Sequence, residues 1–192
     1  MKTIAKHVCT KPYTQGELDG LCGLYAAINA IRLHSKVNYR ASQDIFLGSL
    51  QLLSNDYDIP SIVFDGITRA CLSKILNFVA KETAKKGTPV HLSWPFYKRK
   101  STSLDVLWKA IDSFMSAAEG NAVILSISGK DWGHWTVIKE ITPQTIILFD
   151  SWHRKILKRN RCTVGRLNKN RNIRIDITST CFISKERGQK NR

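Results

Sequence analysis

Apolar positions recur through the first half of the chain at intervals of three and four residues. From Leu21 they fall at Leu24, Tyr25, Ile28 and Ile31, the spacing of a helix with one buried face, which predicts a helix from Leu21 to His34. Cys22 stands just off that stripe in the first turn, at an edge rather than in the core. Ser42 reads as the N-cap of a second helix through Leu53, with Ile45, Phe46, Leu50 and Leu53 inward. Residues Asn55 to Pro60 read as a stop, and a loop carrying Pro60 and Gly66 leads to a third helix, Ile67 to Lys85, with Cys71, Ile75, Phe78 and Val79 buried. The clearest helix follows the capping-box-like start Thr102-Ser103-Leu104-Asp105: Leu104, Leu107, Trp108, Ile111, Phe114, Met115 and Ala118 keep helical spacing up to Gly120.

Beyond Gly120 the pattern shortens to strands. Ala122 to Ser128 is a continuous apolar run suited to the middle of a sheet. Two runs, His134 to Ile141 and Thr145 to Asp150, flank the turn Thr142-Pro143-Gln144 and predict a hairpin. Folding about that turn sets His134 and Asp150 across from one another within a residue of register. Val90 to Trp94, ahead of the basic loop Tyr97 to Lys100, and then Arg154 to Leu157 and Ile173 to Ile183, supply the other strands. Helices first and strands second predict an α+β architecture, one domain over residues 1–184, with an irregular lead-in over 1–14 and a basic disordered tail over 185–192.

This arrangement brings candidate chemistry into view. A thiol in a first helical turn meets the positive end of the helix dipole and unpaired backbone N–H groups, both of which favour the thiolate. An imidazole held by a carboxylate on one nitrogen can take a proton from such a thiol with the other. Cys22, His134 and Asp150 are therefore candidates for nucleophile, base and orienter. Taken singly, each has a structural reading: a small buried hydrophobe, a histidine at a strand end, a turn aspartate.

The two stretches together resemble the papain-like cysteine peptidases. Gln15-Gly16 ahead of Cys22-Gly23 and Tyr25-Ala26 resembles the family's oxyanion Gln-Gly, its Cys-Gly and its aromatic-Ala helix. Gly133-His134-Trp135-Thr136-Val137 resembles its His strand, and Asp150-Ser151-Trp152 its Asn-Ser-Trp, with Asp in place of Asn. The His-to-Asp spacing and the Asp are closest to the double-glycine (bacteriocin-processing) peptidases. The resemblance implies a papain-like fold, with N-terminal helices packed on a C-terminal antiparallel sheet. It implies a catalytic Cys22, His134 and Asp150, Gln15 as oxyanion donor, and Gly20, Gly23, Trp132 and Gly133 lining the substrate site. The Gln15-to-Cys22 interval is one residue longer than the usual pattern. Asp19-Gly20-Leu21-Cys22 also resembles the Asp-Gly-x-Cys of ovarian-tumour-type deubiquitinases, in which the loop backbone forms the oxyanion hole, so both sources of the donors stay open.

Composition narrows the rest. With 192 residues and 43% hydrophobic content the chain suits one domain with a proper core. Five scattered cysteines without a C-x-x-C pair fit neither a disulfide framework nor a zinc site, which points to a reducing, cytoplasmic setting with no metal and no cofactor. No apolar run suggests a signal peptide or a transmembrane segment. The formal charge is +15, and the segment from His153 to Arg192 carries thirteen Lys and Arg against Asp176 and Glu186. Such a field suits an acidic protein, nucleic acid or an anionic surface, although the same residues also read as the solvated face of a sheet. The expected activity is cysteine-dependent hydrolysis of a peptide or isopeptide bond in a protein or peptide substrate. Glutamine deamidation, acyl transfer and a non-catalytic basic binding module are the alternatives.

Overall fold

The computed structural model describes residues 11–35, 37–99 and 101–185. The lead-in over residues 1–10 with His7 and Cys9, Lys100 of the basic loop, and the tail past Lys185 lie outside the described residues; Lys185 itself, expected in the tail, closes the last strand.

Four helices come first: α1 (Cys22–His34), α2 (Tyr39–Ser54), α3 (Ile59–Asp65) and α4 (Arg69–Lys85). Strand β1 (Val90–Ser93) and helix α5 (Leu104–Ala117) follow, then β2 (Ala122–Ser128), β3 (Gly133–Ile141), β4 (Thr145–Leu148), β5 (Ile156–Lys158), β6 (Cys162–Thr163) and β7 (Ile173–Lys185). The protein is α+β.

Local capping accounts for the departures from the expected boundaries. Helix α2 starts ahead of Ser42 because the Asn38 side chain accepts the Ala41 N–H, while Ser42 is buried inside the helix and donates to the Asn38 carbonyl. Helix α3 occupies a stretch read as loop. Asp58 caps it through the Ser61 N–H and hydroxyl, and Pro60 lies in the first turn, where its missing N–H has no intrahelical partner to lose. Gly66, at φ 81°, ends it. Thr68 then caps α4 and Ser103 caps α5.

The strands form one sheet in the order β1-β7-β2-β3-β4-β5, antiparallel throughout, with the short β6 added parallel to β7. Both faces are covered. Ala122, Ile124, Trp135, Val137, Cys181 and Ile183 pack in a core with α1 and α4. Val123, Leu125, Ile127, Ile138 and Phe182 pack with Leu107, Trp108 and Ile111 of α5 in a second core. The first helices cover one face and α5 closes the opposite one, which is why β2 reads as an unbroken apolar run.

The β3–β4 register also differs from the expected one. The ladder pairs Ile141 with Ile146 and Glu140 with Ile147, then shifts by one residue so that Ile138 pairs with Leu148. The Phe149 N–H continues it onto the Val137 carbonyl, which sets Asp150 beside Thr136 rather than His134. His134 and Thr136 share a strand face, so the imidazole reaches the carboxylate diagonally. Among the described residues no helix is long and apolar enough to cross a membrane.

Candidate active site

The loop before α1 is built around Asp19. Its carboxylate accepts the Gly16 N–H at 2.7 Å through Oδ2 and the Leu21 N–H at 3.0 Å through Oδ1, closing the chain into a tight loop. Leu21, the cap residue of α1, makes no side-chain cap bond, so its own side chain satisfies none of the backbone N–H groups at the positive end of the helix where Cys22 and Gly23 sit. The preceding strap is pinned to α1 by Asn29, which exchanges hydrogen bonds with the Tyr13 backbone at 2.8 and 2.9 Å. Gly23 is buried, and an added Cβ would lie 2.5 Å from Ile67 and 3.0 Å from Trp135. Its lack of a side chain lets α1 approach β3, and packing against Ile67 and Trp135 is the role the structure shows for Gly23, which the sequence placed in the lining of the substrate site.

Against this helix end stands β3. Trp135 faces the helices and donates its indole N–H to the Ile67 carbonyl at 3.0 Å, and its backbone N–H points at the Cys22 sulfur at 3.5 Å. On the other face His134 Nε2 meets Asp150 Oδ1 at 2.6 Å, with both side chains almost fully buried. Asp150 Oδ2 accepts the backbone N–H groups of Trp152 and Arg154, each at 2.9 Å. The carboxylate is therefore fixed from both sides, and it leaves Nδ1 of His134 for the thiol.

The electrostatics follow from that wiring. Burial works against the charged imidazole, but the hydrogen bond and charge of Asp150, together with the Cys22 sulfur beside the ring, prevail and raise the His134 pKa to about 9. Burial pushes the Asp150 carboxyl up, while the His134 bond and charge and the Arg154 N–H bring it below its ordinary value. Thr136 Oγ1 is buried next to this carboxylate without a hydrogen bond of good geometry.

No protein-family model matches this chain, and neither does any curated protein. Its chemistry is read from its own residues.

The sequence-predicted residues are distributed as follows. Cys22, at 8% exposure, is less of an edge residue than its helical position suggested; it is buried with His134 and Asp150, each at 4%. Gln15 is anchored to the Asp150 segment: its backbone N–H donates to the Ser151 carbonyl, and its side-chain oxygen accepts the Ser151 hydroxyl at 3.2 Å. Its Nε2 donates to the Asp19 carbonyl at 3.1 Å, which occupies one of its two protons. Gly20 packs backbone to backbone against Gly66. Gly133 is exposed with open space where a Cβ would stand, beside His134. Trp132 is half-buried, 6.4 Å from Trp152, with the Arg154 guanidinium 4.7 Å over its ring. The roles of Asp19 and Arg154 were missed from the sequence. An acidic residue three positions after a loop glycine was the available signal for Asp19, while Arg154 was hidden in a uniformly basic segment.

Proposed function

We propose that this protein is a cysteine hydrolase of papain-like architecture, cleaving an amide bond in a peptide or protein through an acyl-thioester. The observation that carries the reading is the buried 2.6 Å bond between His134 Nε2 and Asp150 Oδ1, with Cys22 at the head of α1 on the ring's other side. The order Gln15, Cys22, His134, Asp150, with Asp as third member, supports the double-glycine branch of that superfamily. The free thiols of Cys22, Cys71, Cys162 and Cys181 suit a reducing, cytoplasmic setting.

In this mechanism His134 holds the Cys22 proton as imidazolium, and the thiolate attacks the substrate carbonyl carbon. The oxyanion that forms is met by the Cys22 N–H and the remaining Nε2 proton of Gln15, each worth about 3 kcal/mol if well aligned. As the C–N bond breaks, the imidazolium gives its proton to the departing amine, leaving a thioester and neutral His134. The imidazole then takes a proton from water, the hydroxide displaces the sulfur, and the acid and the thiol are regenerated. Asp150 keeps the ring oriented and stabilises its charge at both steps without itself transferring a proton.

Intact-mass measurement after brief exposure to an activity-type electrophile tests the reading. Labelling confined to Cys22 and lost in His134→Ala supports it. Uniform slow labelling of several cysteines, unaffected by His134→Ala, refutes it.

A further inference from the structure

The loop after Asp150 brings Trp152 and Arg154 to the His134 side of the site, where Trp132 of the loop before β3 meets them. Trp152 is 49% exposed and its ring lies 5.5 Å from the imidazole. Trp132 lies beside Trp152, and the Arg154 guanidinium covers the Trp132 ring at 4.7 Å. Among the described residues Arg154 takes part in no salt bridge, although three other basic side chains are paired with Asp or Glu of other segments or of the same helix: Lys74, Lys85 and Arg159. Its Nε is buried without a hydrogen-bond partner. A guanidinium stacked on an aromatic ring and left without an anion is a receptor for a planar carboxylate, since its fork of donors matches the two carboxylate oxygens.

The backbone holds this arrangement deliberately. His153, between the two side chains, has φ 59°, a left-handed conformation that non-glycine residues adopt at a cost. The two bonds from Trp152 N–H and Arg154 N–H to Asp150 Oδ2 maintain it, so the group that orients the imidazole also positions Arg154. Exposed Lys130 and Lys155 add positive charge on the same loops, against the single exposed carboxylate of Asp131.

The Cys22-loop side has a different character. There a groove of about 520 Å³ is lined by Gly16, Glu17, Leu18, Asp19, Val63 and Phe64, with Leu18 and Phe64 largely exposed. It is apolar with an acidic rim, and no residue of the His134 or Asp150 loops enters it. The flanks of the site therefore carry opposite charge, which distinguishes the two halves of a substrate.

Chemistry decides which half lies where. A departing amine must take its proton from His134, so the leaving half runs on the imidazole side, over Trp152. We propose that Arg154, seated on Trp132, is a specificity residue that binds a carboxylate carried by the leaving half of the substrate. The inference rests on the hydrolase reading for its direction. The carboxylate comes either from an acidic side chain or from the free C-terminus of a short leaving peptide.

Quenched fluorogenic peptides sharing one acyl half test this. One carries Asp or Glu within two residues of the scissile bond and an amidated end, one has a neutral leaving half with an amidated end, and one has a neutral dipeptide leaving half with a free C-terminus. A carboxylate-bearing peptide is expected to be cleaved with kcat/KM about tenfold above the amidated neutral one, the size of one charge-assisted bond. In Arg154→Gln that preference should fall to within about threefold, through KM, and Arg154→Lys should restore part of it. Whichever carboxylate peptide is favoured identifies the source. Equal cleavage of all three peptides, or a preference that survives in Arg154→Gln, overturns the proposal. In parallel, the three peptides are titrated into the Cys22→Ala variant with and without Arg154→Gln, following tryptophan fluorescence. Arg154-dependent binding of the carboxylate peptides without cleavage by the unmodified protein would retain the subsite and reject the hydrolase; equal binding of all three rejects the subsite.

Discussion

The backbones of Gly20 and Gly66 lie directly against one another. A Cβ on Gly20 would stand 2.8 Å from the Gly66 nitrogen and 2.9 Å from the Phe64 carbonyl oxygen, and one on Gly66 would stand 3.0 Å from the Gly20 oxygen. This contact, with the Gly20 N–H donated to the Val63 carbonyl, braces the loop before Cys22 on the end of α3. Because the blocking atoms are backbone, they cannot rotate away. Gly20→Ala should displace the loop and slow Cys22 alkylation. Gly66→Ala, which also forces a side chain to φ 81°, should lower stability by about 1–3 kcal/mol. Thermal melts and alkylation rates measured together decide it, and a Gly20→Ala protein that melts and reacts normally would remove the brace from the account.

The His134–Asp150 pair predicts a pH dependence of definite sign. His134 has a folded pKa of about 9 against an ordinary 6.5, so its stabilising contribution is complete below 6.5 and is lost as pH rises through about 9. The loss amounts to at most roughly 3 kcal/mol. Asp150 works in the other direction: its lowered value stabilises the fold above its ordinary pKa and the benefit disappears in acid. Peptide cleavage, which needs the imidazolium to protonate the leaving amine, should show an alkaline limb near pH 9. An NMR titration of the imidazole checks the cause. Its midpoint should fall in Cys22→Ala, which removes two of the influences that raise it; an unchanged midpoint would separate the thiol from the ring.

What could be read in advance depended on how local the determinant was. The helical stripe of α1, the run of β2 and the turn at Thr142-Pro143-Gln144 are set by neighbouring residues, and they were read to within a residue or so. Helix α3 was missed because Pro60 and Gly66 read as breakers, although a first-turn proline and a terminal glycine are compatible with a short helix capped by Asp58. The shift near Lys139 has no local sequence signature, so the expected register of the hairpin was wrong while the His134–Asp150 contact still formed. Asp19 and Arg154 act through tertiary contacts, to Gly16 and Leu21 in one case and to Trp132 in the other. Periodicity carries no information about such contacts.

Asp150 has two tasks, and substitutions should separate them. Its Oδ1 holds His134 and its Oδ2 holds the turn that carries Trp152 and Arg154. Asp150→Asn can keep an acceptor for the turn but loses the charge that favours imidazolium, so activity should fall with little change in melting temperature. Asp150→Ala loses both and strands two backbone donors, which costs about 1–3 kcal/mol on top of the lost activity. Activity should still exceed that of His134→Ala, because the carboxylate transfers no proton. Equal stability of the Asn and Ala variants would deny Asp150 its part in the turn.

Trp132 and Trp135, three residues apart on opposite sides of His134, should respond differently to truncation. Trp135 is 7% exposed, packs between Gly23 of α1 and the sheet, and ties β3 to the segment before α4 through the Ile67 carbonyl. Trp135→Ala removes a buried aromatic and leaves that carbonyl unpaired, a cost of about 3–5 kcal/mol. Trp135→Phe, which keeps most of the ring but not the N–H, should cost roughly 1–2 kcal/mol. Trp132 is half-buried at the edge of the α5-side core, against Gly129, with Trp152 and Arg154 beside it. Trp132→Ala should therefore lose less stability than Trp135→Ala, while weakening substrate binding by releasing Arg154 from its platform. Melting curves for the three variants and KM for Trp132→Ala make the comparison. If Trp132→Ala proves the more destabilising, Trp132 belongs to the core, and the side chain that seats Arg154 is not a rim residue.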